Sequence, residues 1–257
     1  MWPFCKLHGK WCMSMPLFFV SPEQAQQDVL CLTGEDARHI AGSLRMQPGE
    51  RLTLSDGAGL MLHCEVEAAE KTAVTVRVCG REPCTSESSC AVTLFQCLPK
   101  GDKMDGIVQK SVELGAVRIV PVLSSRCISR PDGAALEKKR RRWQQIAAEA
   151  AGQSGRGRIP EVAPACRWEQ AVQALSSMQY GLLLYEQQQG SSLSQVPASA
   201  AEVGLLVGPE GGISPQEADC CRQAGILCVG LGPRILRTET AGPAAIAVLQ
   251  YLTGNFE

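Results

Sequence analysis

The chain has 257 residues, 45% hydrophobic and 20% charged, which excludes a disordered tail and is enough for one large or two modest domains. The formal net charge of −1 conceals a cationic segment, since residues 100–158 contain 13 basic and 6 acidic side chains. A local field of this sign attracts a polyanion even where the whole chain is nearly neutral.

The cysteines and the N-terminal residues indicate the compartment. Thirteen cysteines and three histidines occur without paired metal-ligand spacing, so the pattern favours buried thiols in a reducing cytoplasm over zinc ligands or disulfides. No apolar run approaches the ~20 residues of a membrane-spanning helix. The start of the chain carries Lys6 and Lys10, but Ser14 and Pro16 interrupt what should be an apolar stretch, which disfavours a signal peptide. Met15 is a more natural beginning, so residues 1–14 are predicted to be a dispensable extension.

The N-terminal part alternates between apolar and polar residues, as short strands do. Asp56-Gly57 is a strong turn dipeptide between two such runs, and Thr33 is placed to cap a short helix. The predicted elements are strands over 51–55, 60–66 and 73–78 and a helix over 34–44. Their spacing predicts a small β-barrel domain over residues 15–85, and the polar stretch 82–90 is the predicted linker.

From residue 91 onward, strands alternate with helices. The predicted strands cover 92–95, 117–122, 181–185, 203–207 and 226–231, and the predicted helices cover 103–114, 136–151, 214–225 and 241–252. The helix at 214 starts with a capping box, Ser214-Pro215-Gln216-Glu217. This alternation predicts an α/β domain over residues 91–257, in which a parallel sheet has helices on both faces.

Two glycine-rich loops follow predicted strands, where open α/β sheets bind ligands. The first glycine loop is Gly208–Gly212, and the second runs from Gly230 to Ala241. Neither has the lysine and hydroxyl of a P-loop, and no Gly-x-Gly-x-x-Gly follows a strand, which disfavours a nucleoside triphosphate or NAD. Both loops suit a neutral adenosine held by backbone groups and apolar side chains. The alternative is that they are ordinary glycine-rich turns.

The cationic segment supplies candidate phosphate contacts. A run of five basic residues wraps around a helix, so part of it faces solvent whatever the protein does. With the other basic residues of the segment, it predicts an RNA-binding surface. The predicted RNA-binding residues are Lys100, Lys103, Arg126, Lys138, Lys139, Arg140, Arg141 and Arg158. The loop 153–158 either reaches a base with an arginine or caps a helix.

The two glycine loops, with the segments 98–104, 110–115 and 153–156, resemble the SPOUT methyltransferases, in particular the RsmE type, which methylates N3 of a uridine in 16S ribosomal RNA. The resemblance covers the chain from Met15 onward, and the run 231–241 is its most specific part. It implies a PUA-like RNA-binding barrel followed by a catalytic domain with a deep trefoil knot. It further implies S-adenosylmethionine as methyl donor, a homodimer, and 16S ribosomal RNA or the small ribosomal subunit as partner.

The resemblance also implies site residues. The predicted cofactor-binding residues are Leu206, Gly208, Pro209, Glu210, Gly211, Gly212, Leu231, Gly232, Ile235, Leu236, Thr240 and Ala241. The predicted catalytic residues are Arg156, Arg237 and Glu239. Arg156, Arg237 or Arg126, which follows the strand ending at Val122, would stabilise a uracil anion. Glu210 or Glu239 would orient an arginine or accept the N3 proton.

Two alternatives stay open from the sequence. One is a noncatalytic RNA-binding or ribosome-assembly factor that keeps the donor fold. The other is a methyltransferase that acts on transfer RNA or on a ribose hydroxyl. The intact second glycine loop favours an enzyme, and the PUA-like start and the length of the resemblance favour the uridine-N3 activity.

Overall fold

The structure, a computed structural model, describes residues 17–187 and 191–256, so the predicted extension at residues 1–14 lies outside the described residues. The chain divides into two compact units. The first unit comprises Met1–Glu87 and Ala151–Ile159, and the second comprises Ser88–Ala150 and Pro160–Glu257.

The first unit is built on a curled five-stranded sheet. Its elements are β1 (Leu17–Phe19), β2 (Val29–Thr33), α1 (Gly34–Arg38), β3 (Arg51–Ser55), β4 (Leu60–Ala69) and β5 (Ala73–Pro83). The strand order is β1-β3-β4-β5-β2, with β1 and β3 parallel and the other pairs antiparallel. The pairing of β4 with β5 slips at two places, and such bulges bend a sheet.

The core of the first unit follows the alternation in its sequence. Leu52, Leu54 and Leu62 are buried on one face of the sheet together with Val74 and Val76 because successive strand residues point to opposite faces. The predicted helix over 34–44 is split, since α1 ends at Arg38 and a wider turn of π type continues over His39–Ser43.

Residues 151–159 complete the first unit, a grouping that the sequence pattern does not indicate. The Ser55 hydroxyl donates a hydrogen bond to the Gly157 carbonyl at 2.8 Å, and Ala58 forms a β-bridge with Arg158. A Cβ at Gly157 would lie 2.4 Å from Cys84 Cβ. Glycine therefore allows this segment to lie directly against Cys84, the residue after β5, and beside Met61 of β4.

The second unit is an α/β domain. Its strands are β6 (Ala91–Cys97), β7 (Ala116–Leu123), β8 (Glu161–Val162), β9 (Cys166–Arg167), β10 (Tyr180–Leu184), β11 (Glu202–Val207) and β12 (Leu227–Val229). Its helices are α2 (Lys103–Glu113), α3 (Gly133–Gln153), α4 (Trp168–Ser176), α5 (Pro215–Gln223) and α6 (Thr238–Leu252). The order is β12-β10-β11-β6-β7-β8, with β9 also paired to β7, and every pair is parallel.

Helices cover both faces of this sheet. A Cβ at Gly204 of β11 would meet Leu175 of α4, whereas a Cβ at Gly242 of α6 would meet Leu94 of β6. Leu94 is the register partner of Leu205, so these two side chains point to the same face of the sheet. Gly204 and Leu205 are successive residues of β11 and point to opposite faces. Helices α4 and α6 therefore lie on opposite faces of the sheet. The predicted α/β fold with a parallel sheet is confirmed, while the trefoil knot stays a prediction.

The ends of two helices position the loops of the site. Ser214 and Glu217 form the predicted capping box of α5, with Pro215 in its first turn. Helix α6 begins at Thr238, earlier than the predicted residue 241, because the Arg237 carbonyl already accepts hydrogen bonds from the backbone N–H groups of Thr240 and Ala241. In the described parts of the chain, no helix combines the length and apolarity that crossing a membrane requires.

Candidate functional site

A cavity of about 760 Å³ opens where β10, β11 and β12 end. These three strands are neighbours in the sheet, so their carboxyl ends and the loops that follow them form one wall. The lining residues are Leu184, Tyr185, Glu186, Val207, Gly208, Pro209, Glu210, Gly211, Gly212, Val229, Gly230, Leu231, Gly232, Pro233, Arg234, Ile235, Leu236, Arg237, Thr238 and Ala241. The volume lies within the usual range for a small-molecule site.

The first glycine loop presents bare backbone to the cavity. It closes in a turn in which the Gly212 N–H donates to the Pro209 carbonyl at 2.9 Å. Gly212 has φ +67°, and a Cβ there would lie 2.7 Å from Glu186 Oε1. A Cβ at Gly208 would lie 2.9 Å from Ile213 Cδ1. Glycine is therefore required by conformation at one end of the loop and by space at the other.

The second glycine loop forms the opposite wall. Gly232 turns the chain with φ +88°, and Ile235 at the rim is 85% exposed. Arg237, which lines the cavity, is the N-cap residue of α6. Arg237 and the positive end of the helix dipole thus border the same cavity.

A buried chain of hydrogen bonds joins the two loops. Gln96 Nε2, at the end of β6, donates to Thr238 Oγ1 at 3.0 Å, and the same hydroxyl donates to the Gly208 carbonyl at 2.6 Å. Gln96 is fully buried and Thr238 is 6% exposed. The start of α6 and the start of the first glycine loop are therefore fixed to each other across the sheet end.

A lysine and two glutamates form a second link. Lys103 Nζ, in the first turn of α2, lies 3.0 Å from Glu210 Oε1 and 3.2 Å from Glu239 Oε2. Lys103 and Glu239 are close enough for an ion pair, but their geometry is not that of a hydrogen bond. The Lys100 backbone N–H donates to both Glu210 oxygens, at 3.1 and 3.2 Å. The first turn of α2 is thereby attached to both loops, and the segment before it is attached to the first.

These contacts keep both carboxylates ionised. Burial raises the pKa of Glu210, but hydrogen bonds from its own N–H, Lys103 and the Lys100 N–H outweigh this and lower it. The pKa of Glu239 is lowered first by its own backbone N–H and then by Lys103. The pKa of Lys103 is raised by the two carboxylates. A carboxyl with a lowered pKa is a weak proton acceptor.

Most of the predicted cofactor-binding residues line one cavity. These are Gly208, Pro209, Glu210, Gly211, Gly212, Leu231, Gly232, Ile235, Leu236 and Ala241. Leu206 does not line it, because its side chain is fully buried and it belongs to β11, which has a neighbouring strand on each side. Thr240 does not line it either, because it lies exposed on the first turn of α6.

The predicted catalytic residues are divided between the two units. Arg237 lines the cavity, whereas Glu239 lies beside it and contacts Lys103. Arg156 belongs to the first unit, where its side chain is 5% exposed and its Nη2 lies 2.7 Å from Glu87 Oε2. This ion pair favours a structural role for Arg156, and a role in catalysis stays a prediction.

The predicted RNA-binding residues differ in how far they are engaged by the protein itself. Lys100 and Lys138 are exposed and Lys139 is half-buried, whereas Arg140 and Arg141 both contact Glu137. Lys103 is held by the two carboxylates described above. The Arg126 guanidinium is directed to the Gly211 carbonyl. Arg158 is exposed, and its backbone N–H donates to Glu87.

Several lining residues were not anticipated from the sequence. Leu184 ends β10, and Tyr185 and Glu186 follow it; this strand was predicted, but its place beside β11 was not. Thr238, which also lines the cavity, and Gln96, which binds Thr238 from β6 without lining the cavity, were missed because their partners lie far away along the chain. The predicted strand 181–185 was the available signal, since any strand adjacent to β11 would bring its carboxyl end to the same cavity.

Comparisons with known proteins identify the family of the chain. Residues 86–250 match the model of the RNA methyltransferase domain, and residues 32–79 match that of the RNA methyltransferase PUA domain. Ribosomal RNA small subunit methyltransferase E of Bacillus subtilis is 35% identical over 230 residues, which are 86% of this chain and 90% of that protein. The protein of the same name from Mycobacterium tuberculosis is 34% identical over 245 residues, 94% of this chain and 93% of its own.

Solved structures show the same fold. The crystal structure of ribosomal RNA small subunit methyltransferase E from Neisseria gonorrhoeae, bound to S-adenosyl methionine, has a TM-score of 0.83 at 36% identity and covers 95% of this chain and 100% of its own. A methyltransferase from Legionella pneumophila in complex with the same cofactor has a TM-score of 0.83 at 33% identity, covering 92% and 97%. With both domain models matched and relatives aligned over nearly their whole length, the chain belongs to the ribosomal RNA small subunit methyltransferase E family.

Proposed function

We propose that the chain transfers the methyl group of S-adenosylmethionine to N3 of a uridine in 16S ribosomal RNA, as a homodimer in the cytoplasm. The observation that carries the proposal is the cavity at the ends of β10, β11 and β12, walled by two glycine loops. Two relatives of the same fold hold S-adenosylmethionine, and the curated relatives are named for the small-subunit ribosomal RNA. The uridine-N3 position comes from the resemblance in the sequence.

The cavity suits this donor by its chemistry. Its lining combines apolar side chains at the strand ends with uncovered backbone at Gly208, Gly212 and Gly232. It includes two glutamates and two arginines, so it lacks the concentrated positive charge that a polyphosphate needs. Backbone groups would bind the adenine edge and apolar side chains would cover its faces.

The bound donor would supply an electrophilic methyl group on a positively charged sulfur, and the protein must prepare the nucleophile. Uridine N3 carries a proton at neutral pH, and its loss leaves a negative charge on the uracil ring. Arg237 and the start of α6 line the cavity together. We assign to them the stabilisation of this charge.

The two glutamates are assigned to positioning. Their lowered pKa values and their contacts with Lys103 make them poor acceptors for the N3 proton. Held by Lys103, they instead fix the two glycine loops relative to α2. A correct loop geometry matters because small displacements of reacting groups cost large factors in rate.

The RNA and the second subunit are assigned to exposed surfaces. Lys100 and Lys138 are exposed and are proposed to contact phosphates of the 16S RNA. Val248 and Tyr251, three residues apart on α6, are 43% and 66% exposed. A second copy of the chain is proposed to cover these apolar side chains, since such patches mark interaction sites.

The test is labelled methyl transfer onto small ribosomal subunits from cells that lack the protein, followed by identification of the modified nucleoside. We expect 3-methyluridine at one site in 16S RNA. A ribose-methylated product or labelled transfer RNA would point to the alternative enzymes, and absence of transfer with intact donor binding would point to a noncatalytic factor.

Single variants test the roles of the residues. Arg237→Ala is expected to lower kcat on the order of a hundredfold with a small change in donor affinity, because it acts on charge that develops during the reaction. Glu239→Ala is expected to weaken donor binding through the loops and Lys103. Full turnover in both variants contradicts the assignment.

A further inference from the structure

The loop after β7, residues 124–130, packs against the first glycine loop; it is called the β7 loop below. Arg126 Nη1 donates to the Gly211 carbonyl at 3.0 Å and reaches the Ile213 carbonyl at 3.4 Å. The Ser125 N–H donates to Glu217 Oε1 at 2.8 Å, just beyond the glycine loop. One of these three contacts therefore joins the β7 loop to the first glycine loop, and the other two join it to Ile213 and to α5, which follow that loop.

The β7 loop is itself held in one conformation. Arg130 donates from Nη2 to the carbonyls of Ser124 at 3.3 Å and Ser125 at 2.8 Å, and from Nε to that of Cys127 at 3.3 Å. The Ser124 N–H donates to Cys127 Sγ at 3.4 Å. A backbone braced in this way fixes the point from which the Arg126 side chain extends.

One peptide plane of the first glycine loop is held at both of its polar atoms. Arg126 binds the oxygen of the Gly211–Gly212 peptide, and the N–H of the same peptide donates to the Pro209 carbonyl at 2.9 Å. The approach is close, since a Cβ at Gly211 would lie 3.3 Å from Arg126 Cβ and 3.4 Å from the Arg126 carbonyl oxygen. The orientation of this peptide decides which backbone groups face the cavity.

We propose that Arg126 is a positioning residue for donor binding, which holds the first glycine loop through the Gly211 and Ile213 carbonyls, and that it is not a phosphate contact for RNA. This inference rests on the proposed function, because it takes the cavity as the donor site. It revises the sequence-based prediction that Arg126 binds RNA.

The test compares Arg126→Met, which keeps the length of the side chain but has no donor, with Arg126→Lys, which keeps a charged donor. Lys138→Ala, an exposed cation on α3, is the matched control. Binding of S-adenosylhomocysteine is measured by calorimetry, and binding of a 16S RNA fragment is measured over a series of salt concentrations. Hydrogen exchange of the amides of residues 208–213 is followed without ligand.

We expect Arg126→Met to raise the Kd for S-adenosylhomocysteine on the order of tenfold and to speed exchange over residues 208–213, with RNA affinity unchanged. Arg126→Lys is expected to restore part of both properties. Lys138→Ala is expected to weaken RNA binding alone. The proposal is overturned if Arg126→Met weakens RNA binding and leaves donor affinity and hydrogen exchange as in the wild type.

If Arg126→Met does not fold, Gly211→Ala decides, because it presses on the Arg126 backbone without removing a charge. Weaker donor binding with intact RNA affinity supports the proposal, and unchanged donor binding overturns it. Failure of the proposed function is a separate result, in which the wild-type protein binds no S-adenosylhomocysteine. The exchange data still test the role of Arg126 in that case.

Discussion

The hydroxyl of Thr238 connects the two walls of the cavity, so its removal should affect stability and donor binding together. Thr238→Val replaces the hydroxyl by a methyl group of nearly the same size. It deletes the hydrogen bond to the Gly208 carbonyl at 2.6 Å and the one from Gln96 Nε2 at 3.0 Å. At about 1 kcal/mol each, the two bonds predict a loss of about 2 kcal/mol in the free energy of unfolding.

A loss of this size lowers Tm by roughly 4–8 °C in a chain of this length. Thermal and urea unfolding measure it, and calorimetry with S-adenosylhomocysteine measures the accompanying loss of affinity. Thr238→Ser keeps the hydroxyl and should restore most of both. Thr240→Val, on the same helix turn but exposed, should change stability by less than about 0.5 kcal/mol. Equal stabilities for Thr238→Val and Thr240→Val would refute the reasoning.

Three further outcomes are expected. Burial raises the pKa of Glu217, but hydrogen bonds from Ser125 and Ser214 outweigh burial and lower it. The stability that the carboxylate contributes is present above the unfolded-state pKa of about 4.3 and is lost as the pH falls through the folded-state pKa. The Tm deficit of Glu217→Gln at neutral pH should therefore shrink in acid, and a constant deficit contradicts this. Gly212→Ala should lower donor affinity severalfold because Gly212 has φ +67° and lies against Glu186. Gly225 has φ +78° and nothing within 4 Å of its Cβ position, so Gly225→Ala should strain the backbone to a similar degree but leave donor affinity unchanged. Lys138→Ala should reduce the slope of log affinity for RNA against log salt by about 0.7–0.9, and an unchanged slope removes Lys138 from the RNA surface.

The sequence predicts most elements of the second unit, though not β8, β9 or α4, because the signals of the others are local. The capping box at Ser214 and Glu217 and the apolar strand before Gly208 are each contained in a few neighbouring residues. The same holds for the glycine loops, whose composition already indicates uncovered backbone. Ten of the predicted cofactor-binding residues accordingly line one cavity.

What the sequence does not reveal is decided by pairing between distant segments. The position of β10 beside β11 brings Glu186 to the cavity, and no periodicity in either strand encodes that order. The basic residues show the same limit, since a lysine at the start of a helix has the same local pattern whether it contacts a phosphate or two carboxylates. The partners of Lys103 and Arg126 are 107 and 85 positions or more away along the chain, and only folding brings them together.

The discontinuous make-up of the first unit has a consequence for synthesis. Its sheet is complete in sequence by residue 87, yet Ser55 and Gly57 bind backbone groups of residues 157 and 159. A nascent chain therefore gains these contacts only after the ribosome has also made the first segment of the second unit, Ser88–Ala150. An excised fragment ending at residue 87 would lack them permanently, so dissecting this protein requires that residues 151–159 be supplied to the fragment as a separate peptide or by fusion.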